Sequence, residues 1–121
     1  MFRYYNANPY GRHVNDCTVR AISLATDRSW DETYRELSDF AQAQAIMLDD
    51  VDYIDEYLRR RFPLVCDCQG LQITIEDFVK SHTYGTYLIT MAGHITCSIN
   101  GEIYDTFDPS SKFIWEAYKV K

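Results

Sequence analysis

A chain of 121 residues, 46% hydrophobic and 25% charged, fits one domain, residues 1–121, that can bury its own core without metal or disulfide staples. The formal net charge of -6 works against binding to a phosphate backbone, so nucleic acid is not an expected partner. No apolar run of about 18 residues predicts a membrane span, and the opening Met1-Phe2-Arg3-Tyr4-Tyr5-Asn6 lacks an apolar signal core. A cytoplasmic location with all four cysteines reduced is the expectation by default.

Residues 1–14 read as an irregular arm, because Asn6, Asn8-Pro9 and Gly11 are turn formers. Asp16 stands where a helix N-cap would, ahead of Cys17–Thr26, a segment apolar on nearly every side whose only charge is Arg20. Such a helix belongs in the core. Ser29-x-x-Glu32 has the form of a capping box. Trp30, Tyr34, Leu37 and Ala41 then recur at helical spacing to about residue 44. A third helix over 50–61 carries Val51, Ile54 and Leu58 on one face and is stopped by Pro63. Arg59-Arg60-Arg61 ends it, where cations complement the helix dipole.

Beyond residue 64 the pattern changes. Leu64-Val65-Cys66 reads as a short strand, residues 74–79 as a short capped helix, and residues 86–91 as a strand. Residues 93–99 alternate polar and apolar side chains, Asn100-Gly101 signals a two-residue hairpin turn, and residues 102–107 return as its partner. Residues 112–120 supply a last strand. Helices first and antiparallel strands second predict an α+β fold with N-terminal helices packed on a C-terminal antiparallel sheet.

Three residues stand out for chemistry. At the first turn of a buried helix, Cys17 meets backbone N–H groups and the positive end of the dipole, which favour the thiolate. A two-residue turn pairs Ile99 with Glu102, Thr96 with Asp105 and His94 with Phe107. His94, Thr96, Asp105 and Phe107 then share one face, with Asp105 diagonal to His94 and able to hold one imidazole nitrogen. A three-residue loop would shift the register by one and favour Asp108, which also precedes Pro109 and suits a turn.

Asn15-Asp16-Cys17-Thr18-Val19-Arg20-Ala21-Ile22, then Gly93-His94-Ile95-Thr96, then Tyr104-Asp105-Thr106-Phe107-Asp108 together resemble the papain-like cysteine peptidase superfamily. The likeness spans about residues 8–108 and is strongest to small bacterial and phage members, with a looser likeness to bacteriocin-processing peptidases. It implies a papain-like fold with Cys17 as nucleophile, His94 as base and Asp105 orienting the histidine. It also implies that Phe107 shields the His–Asp pair. The family's oxyanion-hole glutamine, six residues before the cysteine, is Gly11 here, and Asn8 in Asn8-Pro9 is the candidate to replace it.

The expected activity is thiol hydrolysis of an amide, peptide or isopeptide bond in a protein or peptide substrate, with no cofactor. One alternative is a catalytically silent binding module on the same fold, or an inhibitor that a virus or mobile element directs at a host protein. Acyl transfer with the same triad is another. Cys66-x-Cys68 has the wrong spacing for a structural zinc site, so no metal is expected, and a disulfide between them is not expected in a reducing compartment. Cys66 and Cys97 read as core residues, and His13 and His82 as surface ones. Tyr4, Tyr5 and Tyr10 either line a groove beside Cys17 or anchor the arm. Asp49, Asp50, Asp52 and Asp55 form a solvated acidic face rather than a calcium loop.

Overall fold

The structure, a computed structural model, describes residues 1–121, except for the side chains of residues 51 and 52. The readings of Val51 as a core position and of Asp52 as part of the acidic face lie outside the described residues. The order of elements is β1 (Phe2–Tyr4), α1 (Cys17–Thr26), α2 (Trp30–Ala43), α3 (Val51–Arg61), β2 (Leu64–Asp67), α4 (Ile75–Ser81), β3 (Thr86–Met91), β4 (His94–Ile99), β5 (Glu102–Asp105) and β6 (Glu116–Lys119). The strands form one six-stranded sheet in the order β1-β5-β4-β3-β6-β2. This is an α+β fold.

Two expectations change here. The arm is not irregular throughout, because Phe2–Tyr4 pairs in parallel with Ile103–Asp105 and makes the sheet mixed rather than antiparallel. The Arg3 guanidinium clamps that edge by donating to both carboxylate oxygens of Glu102, at 2.6 and 2.9 Å. Nor do all the helices precede the strands, since β1 comes before α1, while α4 lies between β2 and β3 where the sequence placed a short helix.

Local chemistry accounts for the remaining elements. Ser29 and Glu32 close the capping box at the start of α2, and Thr74 and Asp77 close a second one at the start of α4. Asn100 and Gly101 both take positive φ, 50° and 82°, as a type I′ hairpin turn requires. That turn fixes the β4–β5 register as Ile99↔Glu102, Ser98↔Ile103 and Cys97↔Tyr104.

The core lies on both sides of the sheet. One cluster joins Ile22, Leu37, Tyr53, Leu58, Leu88, Cys97 and Tyr118, tying α1–α3 to β3, β4 and β6. A second joins Ile75, Phe78, Ile89, Ile103 and Ala117 around α4. Burying a leucine or isoleucine completely contributes about 1.5–3 kcal/mol, and Leu37, Leu58, Leu88 and Ile89 are wholly buried. Tyr34, expected on the buried stripe of α2, is instead exposed and stacks on Trp30 with ring centroids 5.1 Å apart. The arginine triplet does more than face the dipole. Arg59 pairs with Glu116, Arg60 with Glu56 and Arg61 with Glu36.

Candidate active site

The site forms where the N-terminus of α1 meets the first residue of β4. Gly93 takes φ +69° in the tight turn between β3 and β4, a conformation open to glycine and strained for most residues, so that His94 enters the strand at its first position. β5 ends at Asp105. Continued one step beyond Cys97↔Tyr104, the β4–β5 register sets Asp105 opposite Thr96 and diagonal to His94. The imidazole Nε2 and the Asp105 Oδ2 lie 2.6 Å apart. Asp105 is fixed in turn by the Thr106 backbone N–H, which donates to its Oδ1 at 2.7 Å.

Cys17 completes the row. It lines one groove with His94, and both the His94 imidazole and the backbone N–H of Ile95 act on its sulfur. With Nε2 engaged by Asp105, Nδ1 is the ring nitrogen left for the sulfur. The structure therefore brings Cys17, His94 and Asp105 together. Asp108 stands apart, its Oδ1 accepting from the Ser110 N–H within the turn after β5. The Phe107 ring packs on the imidazole, with centroids 4.6 Å apart.

The electrostatics follow from these contacts. Burial alone would raise the Cys17 thiol, but the hydrogen bond and charge of His94, the Ile95 N–H and the charge of Arg20 together hold it below its ordinary value. Burial alone would lower His94, yet hydrogen bonds to Asp105 and Cys17, and their charges, push it up to about 9. Asp105 is held below the usual carboxylate range, its burial outweighed chiefly by His94. All three shifts favour a thiolate, an imidazolium and a carboxylate in line.

Asp16 is the N-cap residue of α1, as the sequence suggests, and its carbonyl accepts from the Arg20 N–H at 2.9 Å. Its side chain makes no cap hydrogen bond. Instead Oδ2 accepts from the Trp30 indole Nε1 at 2.9 Å and from the Asn8 Nδ2 at 3.2 Å. Among the described residues, no acceptor takes the N–H of Cys17 or Thr18, so the first turn of α1 keeps donors beside the sulfur. Asn8 is buried and busy. Its Oδ1 accepts from the backbone of Tyr10 and Arg12, and it does not line the groove at Cys17.

Arg20, the lone charge of its helix and part of the motif around Cys17, proves central. Its Nε lies 3.1 Å from the Asp16 Oδ1, and its other end donates to the Thr106 hydroxyl at 3.1 Å. The Asp16 contact is a charge pair without hydrogen-bond alignment, since neither atom has a partner in good geometry. Arg20 thus ties the residue before Cys17 to the residue after Asp105. The signal for it was present: one charge on an apolar helix, four residues from an aspartate.

A groove of about 440 Å³ opens over the sulfur, with Cys17 and His94 at its base and His13, Arg20, Phe107 and Lys112 among its walls. His13 is exposed, as expected, but it borders this groove. Tyr5 and Tyr104 meet edge to face beside a small cavity behind Cys17, so Tyr5 packs against the sheet, while Tyr10 is exposed. His82 is half-buried and stacks on Phe78, its Nδ1 2.8 Å from that residue's carbonyl oxygen. Cys97 is core, and Cys66 is half-buried. Cys66 and Cys68 are joined in a disulfide, contrary to the expectation of reduced thiols, with their Cα atoms 5.7 Å apart. Among the described residues there is no cluster of three metal-ligating side chains and no helix long and apolar enough to cross a membrane. No family model, curated protein or solved structure matches the chain.

Proposed function

We propose that this protein is a papain-like thiol hydrolase that cleaves an amide, peptide or isopeptide bond in a protein or peptide. The observation that carries the reading is a single imidazole bonded to Asp105 at 2.6 Å that shares a groove with the Cys17 sulfur and favours its thiolate. Nucleophile, base and orienting acid are arranged in that order.

In this reading the Cys17 thiolate attacks the carbonyl carbon. A carbon–sulfur bond forms and the carbonyl electron pair moves to oxygen. The N–H groups at the first turn of α1 receive the oxyanion. The imidazolium of His94 gives its proton to the departing nitrogen as the carbon–nitrogen bond breaks. Neutral His94 then takes a proton from water, which attacks the thioester, releasing the acid and restoring the thiolate. Asp105 keeps the ring oriented throughout. Asn8 would serve the oxyanion only through whatever donor capacity remains beyond its contact with Asp16.

The test is alkylation with iodoacetamide at pH 6.5. Cys17 should react faster than a cysteine in a short unstructured peptide, and His94→Gln should slow it by about tenfold or more. A Cys17 no faster than the peptide thiol would remove the hydrolase reading and leave a silent binding module. Cleavage of a pool of dye-quenched peptides by the wild type and not by Cys17→Ala distinguishes hydrolysis from transfer to an added amine.

A further inference from the structure

The groove over Cys17 is lined by basic and not by acidic side chains, although the protein as a whole is acidic. The chain has a formal net charge of -6, yet the groove wall, among the described residues, contains Arg20, Lys112, His13 and His94 and no aspartate or glutamate. Some of those charges are already spent. Arg20 faces Asp16, and His94 faces Asp105 and the Cys17 sulfur. Of the carboxylates near the groove, Asp16 and Asp105 are buried behind these partners, while Asp108, exposed in the turn after β5, accepts from the Ser110 N–H and does not line the groove. Lys112 is different. It is exposed, follows the turn after β5, borders the groove and has no ion pair among the described residues. His13 is exposed on the same groove from the segment before α1.

We infer that the substrate is an acidic peptide, with a carboxylate close to the bond attacked and held toward Lys112. This rests on the thiol-hydrolase reading and deepens it. An acidic protein repels acidic partners over most of its surface, so a locally cationic groove concentrates them at one place. A lone ammonium is a point charge that suits a single carboxylate without demanding bidentate geometry. The carboxylate could be a chain terminus or an acidic side chain, and both present the same group to Lys112.

Three matched reagents test this through the bond each makes, in which the Cys17 sulfur displaces iodide. Iodoacetylglycine carries a terminal carboxylate, iodoacetyl-aspartic acid α-amide carries a side-chain carboxylate, and iodoacetylglycinamide is neutral. The acidic-to-neutral rate ratio at Cys17 should exceed that of N-acetylcysteine amide by about fivefold, the effect of unit charges about 4 Å apart in water. It should shrink as salt is raised. Lys112→Gln should remove most of the preference and Lys112→Glu should invert it. Lys80→Gln makes the same charge change on α4, where Lys80 pairs with Glu76, and should leave the ratio alone.

Whichever acidic reagent gains more identifies the carboxylate as a terminus or a side chain, and either supports the proposal. A ratio that Lys112→Gln leaves at the wild-type value, or that Lys80→Gln lowers equally, overturns the acidic preference while the hydrolase reading stands. A Cys17 that reacts with the neutral reagent no faster than the free thiol removes both.

Discussion

Cys97 stands mid-strand in β4 with no exposed surface, and burial pushes its thiol up to about 12, whereas Cys17, at the mouth of α1, is held below its ordinary value although it too is largely covered. The two sulfurs serve one sheet and belong to the same apolar cluster. What separates them is what each meets at the end of its side chain. Cys97 lies among Ile22, Leu88 and Tyr118. Cys17 meets an imidazole, a backbone N–H and a guanidinium. Burial therefore does not decide reactivity. It raises the stakes of every polar contact, stabilising the thiol where the sulfur meets only a backbone carbonyl, that of Ser98, and the thiolate where three favourable groups converge.

The sharpest way to break that contrast is to remove the imidazole. His94→Gln leaves Cys17 buried without its chief counter-charge, which makes it resemble Cys97. Peptide cleavage should then fall by roughly 10³-fold, within the range for loss of a general acid–base group, measured as kcat/KM on whichever quenched peptide the wild type cuts. If turnover survives, His94 is not the base.

Arg20 tests the same contrast through stability. Its side chain is 11% exposed and that of Asp16 6%. Arg20→Met keeps the length and deletes the charge, leaving a buried carboxylate whose other partners are only the Asn8 amide and the Trp30 indole. Breaking such a pair costs about 3–5 kcal/mol, readable in the urea midpoint. Iodoacetamide labelling of Cys17 should slow as well, since Arg20 helps hold the thiol down. A stable variant with unaltered labelling would show that α1 and the segment after β5 need no charged tie.

Proton traffic sharpens the comparison further. His94 is raised to about 9, so its proton stabilises the folded state fully below the ordinary 6.5, and that contribution is lost as pH rises through about 9. Asp105 is shifted the other way. Its contribution is present above the ordinary 3.8 and is lost as pH falls through its lowered value. Cleavage needs the His94 proton for the leaving amine, so the rate should decline above about pH 9. Iodoacetamide labelling needs only the thiolate and should not decline there. If both profiles fall together above pH 9, the folded site itself is lost there, and loss of the imidazolium proton is not what limits cleavage.

How much of this was legible beforehand follows the range of the interactions. Ser29 with Glu32, and Asn100 with Gly101, act within four residues, so their capping box and turn can be read from spacing. The turn carried the register, and the register set Asp105 beside His94. Long-range partners left no such trace. Phe2–Tyr4 is too short for a periodic pattern, and its strand partner lies near the other end of the chain. Asp16 looks like a side-chain cap to any local rule, because only the fold brings the Trp30 indole and the Asn8 amide to compete for its carboxylate. Arg20 to Thr106 spans 86 positions. The Cys66–Cys68 link, though local, depended on redox state, which spacing does not encode.

The smallest expected effect falls on the other sulfur. Cys97→Ala removes one buried atom from a packed layer between α1 and the sheet, at a cost of about 1 kcal/mol or somewhat more, depending on how far the layer closes. Cys97 shares the apolar cluster with Cys17 but, among the described residues, hydrogen-bonds none of the triad, so Cys17 labelling and its pH dependence should match the wild type, and the native protein should carry a single alkylated free thiol with or without the substitution. If Cys97→Ala slowed Cys17, the imidazole, the Ile95 N–H and the guanidinium would not be enough to explain the activated sulfur, because the packing beneath β4 would then be setting their positions.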